Sequence, residues 1–278
     1  MDDVRSSGIN ASVANPARVY DYLLGGKDNF PADRELAEQV VAIAPTAREV
    51  TRQNRAFLRR AVRFLAGEAG VRQFLDIGSG LPTQGNVHEI AQAFAPDCRV
   101  VYVDNDPVVV AHGRALLEGD NTVVVRGDLR EPEEILGHLQ VREVLDFDQP
   151  IAVLLVSVLH FVVDGEDPFG IVARFRDAVP AGSHLAISHG TRDTPPRPDM
   201  TAEEMAEMAA RTQQLYEQAA VPIVNRTKEQ VRRLFGDWDL VDPGLVFIQM
   251  WRPDDVGAAL PGGFYGAVGR KGGAGLNL

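Results

Sequence analysis

Apolar residues in this chain gather into short continuous runs separated by segments of helical period. The runs at 72–77, 99–104, 122–126, 151–156 and 184–188 end in glycine, acidic or polar residues. Runs of this kind fit parallel strands covered on both faces. Between them the spacing predicts helices at 86–95, from 106 onward and at 168–179. Asp106 and Pro107 start the second of these, as N-cap and first-turn proline. Upstream, 31–44 and 46–69 read as two helices separated near Pro45. In the second, Phe57, Leu58, Ala61, Val62 and Leu65 form an apolar stripe with arginines opposite. Downstream, the alternation breaks at 190–200, which is rich in proline, arginine and threonine. A helix follows at 201–219, opened by a Thr201/Glu204 capping box. Met205, Met208, Ala209, Thr212, Leu215, Tyr216 and Ala219 lie along one of its faces. A last helix at 227–235 and two strands near 244–251 and 264–269 close the chain. Alternating strands and helices predict an α/β fold, with a mostly parallel seven-stranded sheet and helices on both faces. A helical strap precedes the sheet, and a helical insertion precedes the last helix. The expected organisation is a disordered tail over 1–14 and one domain over 15–278. Within it, 15–70 is the strap and first helices, 71–189 the core, 190–225 the insertion and 226–278 the closing elements.

The ends of the strands carry the candidate chemistry, where α/β sheets bind their ligands. Phe74-Leu75-Asp76-Ile77-Gly78-Ser79-Gly80 reads as a buried strand and a glycine turn. Glycines let the backbone approach a ligand without a Cβ in the way. Val100-Val101-Tyr102-Val103-Asp104 is the next strand, and its terminal acid suits two ribose hydroxyls. Gly127-Asp128 follows the third strand and completes a three-part nucleoside site. A dinucleotide fingerprint needs a third glycine where this chain has Thr83, and Pro82 interrupts an immediate helix start. That weighs against a nicotinamide-dependent oxidoreductase without removing it from consideration. His160 and His189 stand at the ends of the fourth and fifth strands, where a general base is useful. The segment 15–30 packs Tyr20, Tyr22, Gly25, Gly26, Lys27, Asn29 and Phe30 into a short stretch that suits a lid over a site.

Composition narrows the classes. The chain has 278 residues, 45% hydrophobic and 24% charged, which is ordinary for a globular protein. A net charge of −11 argues against nucleic acid as a partner. No apolar run approaches the roughly 20 residues that cross a bilayer, so no membrane partner is expected. The polar start lacks a signal-peptide core, and the expected location is cytoplasmic. The single cysteine, Cys98, excludes an internal disulfide and a cysteine-based zinc site. The histidines are scattered without ligand spacing, so no metal is expected.

The Asp76-x-Gly78-x-Gly80 turn, Asp104, Leu159-His160-Phe161 after the fourth strand and Pro180-Ala181-Gly182-Ser183 before the fifth resemble class I S-adenosylmethionine-dependent methyltransferases. More narrowly, the chain resembles the actinobacterial S-adenosyl methyltransferase family, formerly a domain of unknown function. The stretches that carry this likeness are 15–30, Asp76 to Thr83, Tyr102 to Pro107 and Phe264 to Lys271. The resemblance implies a Rossmann-like methyltransferase fold, S-adenosylmethionine as cofactor and a small-molecule methyl acceptor. It implies that Gly78 and Gly80 pass under the methionine part and that Asp104 holds the ribose. Asn105 would flank the adenine, and Asp128, after Gly127, would accept from its amino group. Ser157 would lie near the methionine carboxylate or the acceptor, and Asp76 would orient the turn or bind the amino group. It supplies no acceptor identity. A non-catalytic sensor of the same cofactor stays open, as do monomer and homodimer.

Overall fold

The buried runs form the middle of an eight-stranded sheet in the computed structural model, which describes residues 10–82, 85–193, 200–254 and 262–273. The strands are β1 (Gln73–Ile77), β2 (Arg99–Asp104), β3 (Thr122–Arg126), β4 (Ala152–Val156), β5 (His184–Gly190), β6 (Asp239–Leu240), β7 (Val246–Phe247) and β8 (Phe264–Arg270). Their spatial order is β3-β2-β1-β4-β5-β8-β6, with β7 pairing β8 off this path. The first five run parallel; β8 is antiparallel to β5, β6 and β7. The order reverses between β1 and β4, so the crevice where such sheets bind ligands lies over their carboxyl ends.

Alternate side chains along each strand feed two cores. Leu75, Val101, Val153 and Leu185 face one side; Phe74, Val100, Leu154 and Ala186 face the other. On the first side pack α6 (Pro132–Gly137), α7 (Leu139–Val144), α8 (Pro168–Ala178) and α10 (Lys228–Leu234). On the second lie α3 (Ala47–Arg63), α4 (Val87–Phe94) and α5 (Pro107–Leu116). Helices α1 (Pro16–Leu24) and α2 (Pro31–Ile43) make the strap. The insertion helix α9 (Ala202–Gln218) packs on it through Leu215, Tyr216 and Ala219, against Val19, Leu23, Leu36 and Val40. Among the described residues, no helix is long and apolar enough to cross a membrane.

Eight strands replace the expected seven. The single strand expected at 244–251 is short: after Phe247 the chain turns at Ile248–Met250 to bury Ile248 and Trp251. The freed carbonyls of Trp251 and Ile248 accept from Arg60, at 2.8 and 2.6 Å. The extra strand, β6, pairs with the far end of β8. Of the expected tail, 1–9 lies outside the described residues. Val13 is tied down, since its carbonyl accepts from Arg18 at 2.9 Å.

Candidate active site

A cavity of about 890 Å³ lies over the carboxyl ends of the parallel strands, covered by α1, α2 and α9. Asp76, Gly78, Gly80, Asp104, Asn105, Gly127, Asp128 and Ser157 all border it. These residues come from four strand ends, and the parallel sheet brings them together because it points every carboxyl end the same way.

The glycine turn is locked to β2. The amides of Gly78 and Ser79 both donate to the Val103 carbonyl, at 2.8 and 3.1 Å. Gly78 and Gly80 adopt φ values of 71° and 69°, which L side chains rarely take. A Cβ on Gly78 would stand 2.5 Å from Val158. The Gly80 amide donates to Asp104 Oδ2 at 2.9 Å, and the Asp106 amide to Asp104 Oδ1 at 3.0 Å. Each carboxylate oxygen keeps acceptor capacity toward the cavity. Burial, helped by the Asp106 charge, pushes Asp104 up to about 6, against the pull of these two amides and the Asn105 amide. Asp106 itself caps α5 through Val108 at 2.6 Å.

Asp76 is also buried, and no hydrogen-bond donor among the described residues reaches its carboxyl. Burial pushes it up to about 7; the Arg55 guanidinium opposes that rise and Asp104 adds to it. Arg55 projects from α3 to the same cavity, with Nη2 3.2 Å from the Gly85 carbonyl. The sequence marks Arg55 only as one member of an arginine-rich helix. Across the site, burial pushes Asp128 up, but its donors outweigh that and hold it below the usual range. They are the Arg130 amide at 2.9 Å, Arg130 Nη1 at 3.1 Å and Asn105 Nδ2 at 3.2 Å.

Ser157 turns the chain out of β4 with a φ of 60°. Its amide donates to Ser188 Oγ at 3.0 Å. Ser188 Oγ donates to Asn54 Oδ1 at 2.5 Å, Asn54 Nδ2 donates to Tyr20 Oη at 2.9 Å, and Tyr20 donates to the Thr51 carbonyl at 3.2 Å. One run of hydrogen bonds thus joins β4, β5, α3 and the strap.

The two histidines part company. His160 borders the cavity, and burial, then His189 and Arg226, hold its basicity well below the ordinary value. His189 is fully buried and does not border the cavity. Its Nδ1 lies 2.7 Å from the Gly190 carbonyl, to which it can only donate. That leaves Nε2 to accept from Arg226 Nη1 at 2.9 Å. Burial pushes His189 down to about 4. Arg226 is fully buried as well and donates to the carbonyls of Leu159 and Val162, at 3.1 and 3.0 Å, and to Asp164 at 2.6 Å. It fastens the turn that carries His160 to the end of the insertion. Its position just before the Thr227 cap gives no hint of this in sequence.

The strap covers the cavity with one face of α1. Val19, Tyr20 and Leu23 border it, as helical spacing dictates. Tyr22, Gly25, Gly26, Lys27, Asn29 and Phe30 do not. Tyr22 points the other way, donating to Glu38 at 2.7 Å under the Arg48 guanidinium. Gly25 caps α1 in the left-handed conformation. Gly26 sits against the Asp21 carboxylate, to which Asn29 donates at 2.8 Å. Phe30 lies 4.9 Å from the Arg18 guanidinium, and Lys27 is exposed. The loop after α1 therefore folds back on Asp21 and away from the cavity. The opposite wall is α9, with Met205, Met208, Ala209, Thr212 and Tyr216 at the cavity. Within the proline-rich approach to it, 194–199 lies outside the described residues. Among the described residues, no group of three His, Cys, Asp or Glu side chains is placed to hold a metal.

A family model described as S-adenosyl methyltransferase matches residues 2–272. A DUF574 family protein from Streptomyces avermitilis MA-4680 is 40% identical, with 94% of this chain and 98% of that chain covered and a TM-score of 0.86. A protein from Thermobifida fusca YX, named as a candidate methyltransferase, is 42% identical over 98% of this chain and 99% of its own, with a TM-score of 0.85. A SAM-dependent methyltransferase from Anabaena variabilis ATCC 29413 shares the fold at 14% identity. It covers 95% and 98% of the two chains with a TM-score of 0.52. No curated protein matches the chain.

Proposed function

The chain belongs to the S-adenosyl methyltransferase family, and on that premise we propose that it methylates a small molecule held between the strand ends and α9. It is an S-adenosylmethionine-dependent methyltransferase. The residues at the strand ends fit that cofactor. Asp104 is a desolvated carboxylate with an amide donor on each oxygen and acceptor capacity left toward the cavity. Two vicinal hydroxyls would complete it. Asp76 and Arg55 place an unpaired carboxyl and a guanidinium beside the glycine turn, which suits the two ends of an amino-acid group. Asp128, preset by Arg130 and Asn105, offers an acceptor to an amino group on the base.

The bound cofactor supplies an activated methyl group on a sulfonium. The protein's remaining work is to align the acceptor and keep water out. The glycine turn, fixed to Val103, sets the floor, and Ser157, held by Ser188, sets the adjoining edge. Tyr20 and α9 close the roof. Of the two candidate bases, His160 is within reach of the cavity, and it is neutral at pH 7. A histidine that holds a proton so weakly contributes a hydrogen bond to the acceptor more than proton removal. His189, with both nitrogens engaged, supports the wall instead.

The observation that carries this reading is the doubly bonded Asp104 carboxylate facing the cavity beside the glycine turn. Calorimetry with S-adenosylmethionine, S-adenosylhomocysteine and NAD tests it. The two sulfur compounds should bind and NAD should not. Binding of NAD alone would overturn it.

A further inference from the structure

The cavity is divided by charge. Among the described residues, the formal charges on its wall belong to Arg55, Asp76, Asp104, Asp128 and Arg130, grouped at or beside the ends of β1, β2 and β3, and to Glu49. Glu49 is half exposed and already engaged by Arg52 and Gln53. The other end, under α9 and beside the ends of β4 and β5, carries none. Leu23 and Val40 of the strap, Met205 and Met208 of α9, and Ile223 make its wall. His160, on the turn after β4, is neutral there.

Besides His160, whose Nδ1 has no hydrogen-bond partner, two polar side chains at this end lack one among the described residues. One is Tyr216, whose hydroxyl is perturbed by burial alone. The other is Asn225, which leaves the insertion beside β5. A Cβ on Gly190 would stand 2.4 Å from Asn225 Oδ1 and 3.9 Å from His160 Cβ, so this glycine makes room for the carboxamide on the side where His160 lies. The Val224 amide, donating to the His160 carbonyl at 2.7 Å, fixes that arrangement. Phenol and carboxamide are both uncharged, and each both donates and accepts.

We propose that the methyl acceptor is a neutral, mainly apolar molecule bearing a hydroxyl or carbonyl group, and that Tyr216 and Asn225 recognise that group. This rests on the methyltransferase reading above and concerns the acceptor end of the same cavity. An ionised acceptor entering this end would lose its hydration and meet no unpaired counter-charge, since Arg226 behind the His160 turn is already held by Asp164, a loss far larger than one hydrogen bond returns. A neutral skeleton loses little and buries apolar area against unbranched, adaptable methionines. Its single polar group then finds the phenol and carboxamide, which otherwise lose water without replacement.

A matched pair of dyes tests this on the full chain saturated with S-adenosylhomocysteine. N-phenylnaphthylamine is neutral; anilinonaphthalene sulfonate has the same ring skeleton plus one negative charge. The neutral dye should bind saturably, and the sulfonate roughly tenfold or more weakly, because its charge is desolvated unpaired. Ala209→Trp, which fills the chamber from α9, should abolish the neutral dye's signal. Met208→Trp gives a second block should the first variant fold poorly, and calorimetry with S-adenosylhomocysteine shows that each variant keeps its cofactor end. Naphthol should displace the dye at about threefold lower concentration than naphthalene, the worth of one modest hydrogen bond. Tyr216→Phe/Asn225→Ala should erase that difference. Equal binding of the sulfonate, a neutral-dye signal that survives both tryptophan variants, or a hydroxyl advantage that persists in the double variant overturns the proposal. Failure of S-adenosylhomocysteine to bind at all would sink the cofactor assignment instead, so the two failures are distinct.

Discussion

Replacing Asp76 with asparagine should stabilise the cofactor-free protein at neutral and higher pH while weakening its hold on the cofactor. The Asp76 carboxyl is buried, near Arg55, and receives no hydrogen bond among the described residues. Burial raises it from 3.8 to about 7. The folded state therefore binds this proton more tightly than the unfolded chain does. The associated stability is complete below about pH 4 and is lost as pH rises through about 7. A gap of roughly three units at about 1.4 kcal/mol per unit gives an upper bound of about 4 kcal/mol lost by pH 8. Asp104, raised to about 6, adds a similar loss at lower pH. Above about pH 6.5 the remaining slope belongs chiefly to Asp76. Urea unfolding from about pH 6.5 to pH 8 should show wild-type stability falling by up to about 1.4 kcal/mol per pH unit, with Asp76→Asn falling far less. An ammonium bound at Asp76 favours the ionised carboxyl. Near pH 6 wild-type binding of S-adenosylhomocysteine should thus release a proton, seen as a buffer-dependent enthalpy, and the variant should release less. Wild-type stability that holds level or rises across this interval would refute the desolvation argument. An unchanged slope in the variant would assign the proton to another group.

Asp104→Ala should weaken S-adenosylhomocysteine binding by about 1.5–3 kcal/mol in calorimetry, since it removes a charged acceptor, whereas Asp106→Ala should cost about 1–2 kcal/mol of folding stability through the lost α5 cap. That stability loss is deepened because Arg18, buried beside Asp33, also lies 3.8 Å from Asp106. Once an acceptor is found, His160→Gln should lower kcat by less than about tenfold; a loss of 10²–10⁴ would mean that His160 is a general base after all. Hydrogen exchange along α1 should be slow with and without S-adenosylhomocysteine, because Arg18 and Tyr20 anchor it to Asp33, Asp106, Asn54 and Thr51; cofactor-dependent protection in α1 would show instead that the strap moves as a lid.

The strand-end site was legible because its signals are local. A buried run, a glycine pair and a terminal acid lie within a few residues of each other, and a parallel sheet guarantees that such ends converge. Asp104 and Asp106 could be told apart in sequence because only the second stands before a proline at a helix start. The face of α9 was also legible, since Met205, Met208, Ala209, Thr212 and Tyr216 follow helical period. The strap was harder. Its tyrosines and glycines look alike in composition, but the helix splits Tyr20 from Tyr22 and the Gly25-Gly26 pair serves a cap and the Asp21 carboxylate. The buried arginines were invisible. Arg60 is fixed by carbonyls 188 and 191 residues away, and Arg226 by carbonyls 64 and 67 residues away. No window of sequence carries such pairings. The strand expected at 244–251 is cut short to Val246–Phe247 beside carbonyls that Arg60 holds, again a pairing distant in sequence.

The division of charge along the cavity bears on rate as well as on selectivity. The desolvated pair Asp76 and Asp104 is costly in the empty protein, and that cost is relieved when donors or an ammonium arrive. Free energy stored in this way favours a filled cofactor end without adding charge to the acceptor end. Methyl transfer from a sulfonium to a neutral acceptor spreads positive charge over a larger volume, and a polar medium solvates the compact starting charge better than the spread one. A chamber walled by Leu23, Val40, Met205 and Met208 withholds that ground-state solvation. A fixed cation there would repel the spreading charge, and a fixed anion would hold the charge at one point. Placing the formal charges at the ends of β1 to β3, apart from the exposed Glu49 that Arg52 pairs, and neutral groups under α9 avoids both. By this reasoning Met208→Lys should lower kcat far more than Met208→Gln of similar size, and equal losses in the two variants would show that volume, not charge, governs the chamber.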